Sequence, residues 1–394
     1  MNLQVRFEKV QNLLEEWLEF LLLEPIRKYP NHSPTNIQPW INSLKKLSID
    51  ELVEFENNLI IRSNDSDFLK LLDDIKNLTT FPKFNLLNNN EKLISNKIKE
   101  KKSHEIKAIK NLIHPLDEIN IIDIGSGAAH LSENLINKKN RNSICIDLNG
   151  EFQQRGKKRI HQNNLENSQK IKFLTVNFDE SSSINRNRKY KNDIVIGLHA
   201  CGDLSPDIIN FALKDNSKYI LSIGCCYHKI TTKYNLSSTA RLQLSTNAFN
   251  LAARTHRIQT KKDLERKIMV RTYRYGLHCY LYSLGHQVFF PIGQTKLSDY
   301  ELSFGSYAKK YATNLNIKSE IAEVFFNQQE IQNQINDLIY IDIFRGIFGR
   351  LIESYLILDR ALYLCERGHR VEIIEIFDRK LSPRNLAIFA NKIK

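Results

Sequence analysis

Five short apolar runs rich in β-branched residues recur between residues 119 and 225. They read INIIDIG (119–125), SICIDLN (143–149), IKFLTVNFD (171–179), DIVIGLH (193–199) and YILSIGC (219–225). Helix-length segments separate most of them: HLSENLINKK, EFQQRGKKRIHQ and SPDIINFALK. Near-continuous apolar strands alternating with helices predict a parallel sheet covered on both faces. The end of the chain extends the pattern. Residues 351–369 predict a helix closed by Gly368, VEIIEIFD (371–378) a strand, LSPR a turn, and NLAIFANKI (385–393) another strand. A late helix and an antiparallel strand pair would complete a seven-stranded, mostly parallel sheet.

Residues 1–100 carry no strand-like alternation. VQNLLEEWLEFLLL spaces its apolar residues helically, and Ser48 stands three residues before Glu51 in a capping-box pattern. Four stretches are therefore expected: a helical N-terminal region (1–100), a core with the first five strands (101–229), a helical insertion (230–350), and a last helix and strand pair rejoining the core (351–394). The apolar stretch LLEEWLEFLLLEPI contains four glutamates, which excludes a membrane span or a signal-peptide core. Six unevenly spaced cysteines do not form a disulfide framework. A cytoplasmic protein is expected, with the nucleus open and no membrane partner. The formal net charge of +13 suits an acidic partner such as RNA, or reflects only a chain rich in Lys, Asn and Ile.

DIGSGAAH (123–130) falls at a strand-to-helix turn, where glycines let the backbone approach a ligand closely. A dinucleotide fingerprint needs a small residue where His130 stands. An S-adenosyl-L-methionine site instead favours an acid two residues before the first glycine, which Asp123 supplies. Gly125, Ser126 and Gly127 would form the turn, and Asp147 at the end of the second strand would accept ribose hydroxyls. Asn177 and Phe178, closing the third strand, would lie by the adenine.

Several segments resemble the methyltransferase-like family that includes the ribosomal RNA adenine dimethylase domain-containing proteins. They are KKSHEI (101–106), DIGSGAAHLS (123–132), GLHACGDLS (197–205), SIGCCY (222–227), LHCY (277–280), LDRALYL and LSPRNLA. The resemblance implies a class I (Rossmann-like) methyltransferase using S-adenosyl-L-methionine. The family's loop is similar to Gly-Ser-Gly-x-Gly, and here Ala129 replaces the last glycine, which puts close approach of the cofactor in question. HACG and CCYH are also similar to segments of acceptor-stem tRNA 2′-O-methyltransferases, which favours RNA as substrate.

Three of the six cysteines and two of the eleven histidines fall in GLHACGDLS and SIGCCYH. If the fourth and fifth strands are neighbours, their ends bring His199, Cys201, Cys225, Cys226, Tyr227 and His228 together beyond the sheet. These are the candidate catalytic residues, with a histidine as base. Two other readings stand beside this one: a zinc site, although the spacing matches no common zinc module, and small apolar filling. The expected pocket holds no metal. In the insertion, residues 254–276 interleave Arg and Lys with Tyr273 and Tyr275, which suits either stacking on unpaired bases or simple packing. Two alternatives to an RNA methyltransferase remain: an enzyme acting on protein or a small molecule, and a non-catalytic RNA- or ribosome-binding protein.

Overall fold

The computed structural model describes residues 1–22, 24–31, 35–85, 93–94, 98–183 and 192–393. Its seven strands are β1 (Ile119–Ile124), β2 (Arg141–Asp147), β3 (Ile171–Thr175), β4 (Asn192–Cys201), β5 (Tyr219–Cys225), β6 (His369–Glu375) and β7 (Leu386–Lys392). They form one sheet in the order β3-β2-β1-β4-β5-β7-β6. The first five strands pair in parallel, and β7 runs antiparallel to both of its neighbours. This is the expected class I, Rossmann-like arrangement. Every residue of β1 is buried, as a central strand covered on both faces requires. The third strand stops at Thr175, short of the expected 179. Val176 still donates to the Asp147 carbonyl at 3.1 Å, but Asn177 and Phe178 lie past the ladder.

The chain divides into two compact units. One comprises Met1–Glu16, Leu78–Arg257 and Gly349–Lys394 and contains the sheet; the other comprises Trp17–Asn77 and Ile258–Phe348. The helices before residue 100 are thus shared between the units. In the sheet unit, the Gly349–Cys365 helix is buried at every position except Tyr363 and Cys365. Helix Leu3–Glu16 meets it through a stacked Phe7–Tyr355 pair at 5.2 Å. The edge strand β6 is covered at one end, where Phe84 and Glu375 donate to the carbonyls of Glu375 and Pro82.

The second unit is helical and aromatic. Trp17, Trp40, Phe68 and Phe344 pack together, with Trp40 and Phe68 stacked at 5.1 Å. Its helix Lys261–Ser283 carries residues 261–276 of the basic, tyrosine-bearing stretch. Tyr273 lies among Tyr300, Phe304, Tyr307 and Phe326, and its hydroxyl donates to the Leu302 carbonyl at 2.7 Å. Tyr275 bonds Asp342, as does Arg271, and Lys267 pairs with Glu56. Of the two readings of these tyrosines, the Tyr273 ring contacts favour packing; Tyr275 is half-buried with its hydroxyl tied to Asp342. Among the described residues, no helix is long and apolar enough to cross a membrane.

Candidate active site

The strand order reverses between β1 and β4, and in open α/β sheets ligands bind at that switch point, beyond the carboxyl ends of the strands. Gly125 and Gly127 leave β1 with φ of 75° and 55°. No atom lies within 4 Å of where a Gly127 side chain would start, so the turn is open on that side. Two carboxylates hold it. Asp147, at the end of β2, accepts from the Gly127 amide at 2.7 Å and the Asn149 amide at 2.8 Å. Each of its oxygens keeps a further lone pair for a ligand hydroxyl. Asp123 is buried beneath the turn and accepts from Ser132 Oγ at 2.7 Å, while Ser132 accepts from Ser143. Burial pushes the Asp123 carboxyl up to about 6, against the pull of the Ser132 bond.

The helix Gly150–Asn163, after β2, clamps the turn from the side. Gln153 donates to Ser126 Oγ at 3.0 Å and the Gly127 carbonyl at 3.1 Å. Arg159 donates to the Ala128 carbonyl at 2.9 Å and pairs with the buried Glu133. It also faces His130 Nε2 at 3.2 Å, and burial followed by this guanidinium pushes His130 down to about 4. Gln153 and Arg159 were missed from sequence, although both sit on the face that Gly156 brings against the loop. Ala129 has a left-handed φ of 59°, which costs an alanine about 1 kcal/mol. Its methyl is fully buried within the hydrophobic core, so the Ala129 substitution does not obstruct the open side of the turn. Of the residues expected near an adenine, Asn177 is exposed, and half-buried Phe178 stands edge-on to Phe211 at 5.2 Å.

The second half of the site lies at the ends of β4 and β5. Pairing shifts between Leu198 and Ala200, which leaves His199 as a bulge with φ of 62°. Bulges of this kind re-aim a side chain beside active sites. Here His199 Nε2 meets Glu105 Oε1 at 2.8 Å, and the same oxygen accepts from Ser382 Oγ at 2.8 Å. KKSHEI, GLHACGD and LSPRN, remote in sequence, therefore converge on one carboxylate. Burial acts against the Glu105 charge, but the His199 and Ser382 bonds hold its carboxyl below the usual range. Glu105 was also missed: an acid inside a basic, helix-forming segment gives no sign that it will be buried.

Gly202 follows with φ of 56°, and an added Cβ would lie 2.6 Å from the Lys229 carbonyl, so the two strand ends press together. Cys201 and Cys225 are register partners, with sulfurs 3.1 Å apart, and the Cys226 sulfur lies 3.6 Å from that of Cys225. The Cys201 thiol is pulled below its ordinary range, foremost by its bond with Cys225, and the Cys225 thiol is pushed up by the same bond. The structure brings His199, Cys201, Cys225 and Cys226 together. Tyr227 departs from expectation: it is 1% exposed, and its hydroxyl donates to Glu353 Oε1 at 3.1 Å. Its left-handed predecessor Cys226 turns it into the core against the 349–365 helix. His228 is exposed on the 3-10 turn Tyr227–Lys229.

Residues 101–233 match the model of a methyltransferase domain family. Two curated relatives named probable methyltransferase-like protein 25 align over 222 residues, the mouse protein at 23% identity and the human at 25%. Each alignment covers 50% of this chain and 37% of the relative, so the chain matches little more than a third of those proteins. A solved structure of coclaurine N-methyltransferase bound to N-methylheliamine and SAH aligns at 12% identity over 100% of this chain and 95% of its own. Its TM-score of 0.28 is too low to carry an argument.

Proposed function

We propose that the chain is an S-adenosyl-L-methionine-dependent methyltransferase whose acceptor is RNA. One observation carries the enzyme class: an open glycine turn at the switch point, tied to Asp147 and lying over buried Asp123, within a segment matching a methyltransferase domain. These residues fit the cofactor. Asp147 retains acceptor capacity for ribose hydroxyls, the space over Gly127 is free, and Phe178 offers a ring face beyond β3 for a flat base. Bound there, the cofactor supplies an electrophilic methyl group on a positively charged sulfur.

The chain's own residues then orient an acceptor and take its proton. Because Glu105 accepts from His199 Nε2, the Nδ1 lone pair of that imidazole is left to receive a proton. Ser382 fixes Glu105 in turn. Gly202 lets the adjoining strand ends stay close, since the Lys229 carbonyl lies where a side chain would start. RNA as acceptor is supported by the formal charge of +13, since cationic side chains that neutralise phosphates displace condensed counterions. Tyr273, packed among aromatic rings, adds nothing to that support.

The test combines calorimetry with methyl transfer from labelled S-adenosyl-L-methionine to RNA, protein and small-molecule fractions of cells lacking the protein. Cofactor binding, and label entering RNA but not after Asp147→Ala, is the expected result. Label in protein or small molecules would replace RNA as the acceptor. A folded chain that binds no cofactor would overturn the enzyme class and leave a non-catalytic binding protein.

A further inference from the structure

We propose that Cys201, Cys225 and Cys226 form a binding site for one thiophilic divalent cation of the zinc class, with one coordination position left open. Among the described residues, these three present ligating atoms all within 4.8 Å of one another. Four bonds of about 2.3 Å in a tetrahedron place zinc-bound sulfurs about 3.8 Å apart. The two bonded pairs stand at 3.1 Å and 3.6 Å, short of that value, and no pair of the three is more than 4.8 Å apart. An ion therefore needs the sulfur separations to change by no more than about 1 Å, in side chains already gathered.

The backbone explains the convergence. Cys201 and Cys225 are opposed on neighbouring parallel strands, which places their side chains on one face. Adjacent residues of an extended strand point to opposite faces, so Cys225 and Cys226 would ordinarily diverge. Cys226 instead has φ of 49° and swings its sulfur back toward that of Cys225. This turn is invisible to ligand-spacing rules, which is why a metal-free pocket was expected from sequence. Cys201 and Cys226 are half-buried and give an entry path; Cys225 is buried. Three protein ligands with a fourth position free is the pattern of zinc sites that bind water or a reacting group, rather than of closed structural sites. His199 does not complete the set: its Nε2 is engaged by Glu105, and neither ring nitrogen joins the three sulfurs within 4.8 Å.

The site does not depend on the methyltransferase reading, and its test uses neither cofactor nor activity. The full chain is purified with a phosphine reductant and no chelator, then assayed for bound metal. The metal-free form is titrated with cadmium, following the ultraviolet thiolate-to-metal band, and then with zinc. About one ion per chain is expected. Cys201→Ser and Cys226→Ser should each weaken binding at least about tenfold, while Cys145→Ser and Cys365→Ser leave it unchanged. The two half-buried positions keep the test decisive should Cys225→Ser fail to fold. Folded protein that takes up no cadmium or zinc, or takes it up equally in the Cys201 and Cys226 variants, overturns the proposal. So does a Cys201–Cys225 disulfide that persists in the reductant in place of metal.

Discussion

Glu105 touches His199 and Ser382 through one oxygen, which makes it a positioning residue for the imidazole. Glu105→Gln keeps the shape but loses the charge that favours one His199 tautomer. The methyl-transfer rate should fall about 10- to 100-fold, with cofactor affinity unchanged and the pH–rate profile displaced. A merely structural Glu105 would leave that profile where it was. Asp123 makes a different prediction. Its raised folded value means that the native state holds a proton which the unfolded chain releases between pH 3.8 and about 6. Stability is therefore lost as pH rises through that window, and the penalty persists above it. Asp123→Asn should flatten melting temperature across pH 4–6 and stabilise the fold at pH 7.5 by up to about 3 kcal/mol. Cofactor affinity should drop at the same time. A variant less stable at pH 7.5 would show that the carboxylate charge is not the strained element.

At the scale of elements, the helix after β2 and the strand β7 are the parts most exposed to single changes. A Cβ on Gly156 would stand 2.7 Å from the Ala128 carbonyl, which is backbone and cannot rotate aside. Gly156→Val should push the helix off the glycine turn, cost about 1–3 kcal/mol by overpacking, and weaken cofactor binding measured by calorimetry. Deleting residues 380–394 removes β7 from between β5 and β6 and leaves both with unpaired edges. The truncated chain should be insoluble; an unchanged melting temperature would refute an interior role for β7. These elements also mark what sequence could reveal. Strands announced themselves because two-faced burial demands apolar runs, and Asp123, Gly127 and Asp147 because they terminate such runs. The His199 bulge, the Cys226 reversal and the burial of Glu105 depend on partners remote in sequence. Tyr227 misled for the same reason: proximity to two cysteines in the chain says nothing about Glu353, which captures its hydroxyl.

For the whole molecule, the discontinuity of the sheet unit matters more than its size. The family match ends at residue 233, but β6, β7 and the buried 349–365 helix belong to the same compact unit. A fragment of residues 101–233 should therefore fail to fold, with no cooperative transition on heating and exposed apolar surface that binds a reporter dye. A cooperative melt would show that five strands suffice.

The position of β7 also has a consequence in time. Cys225 ends β5, and its neighbour β7 begins only at Leu386, with the second unit's residues 258–348 made in between. At roughly 5–20 residues per second, the edge of β5 waits on the order of 10–30 s for its partner. During that interval the growing chain carries an open, apolar sheet edge, the kind of surface that recruits chaperones or neighbouring nascent chains. The strand Leu386–Lys392 thus decides whether the strands made before it become a finished sheet.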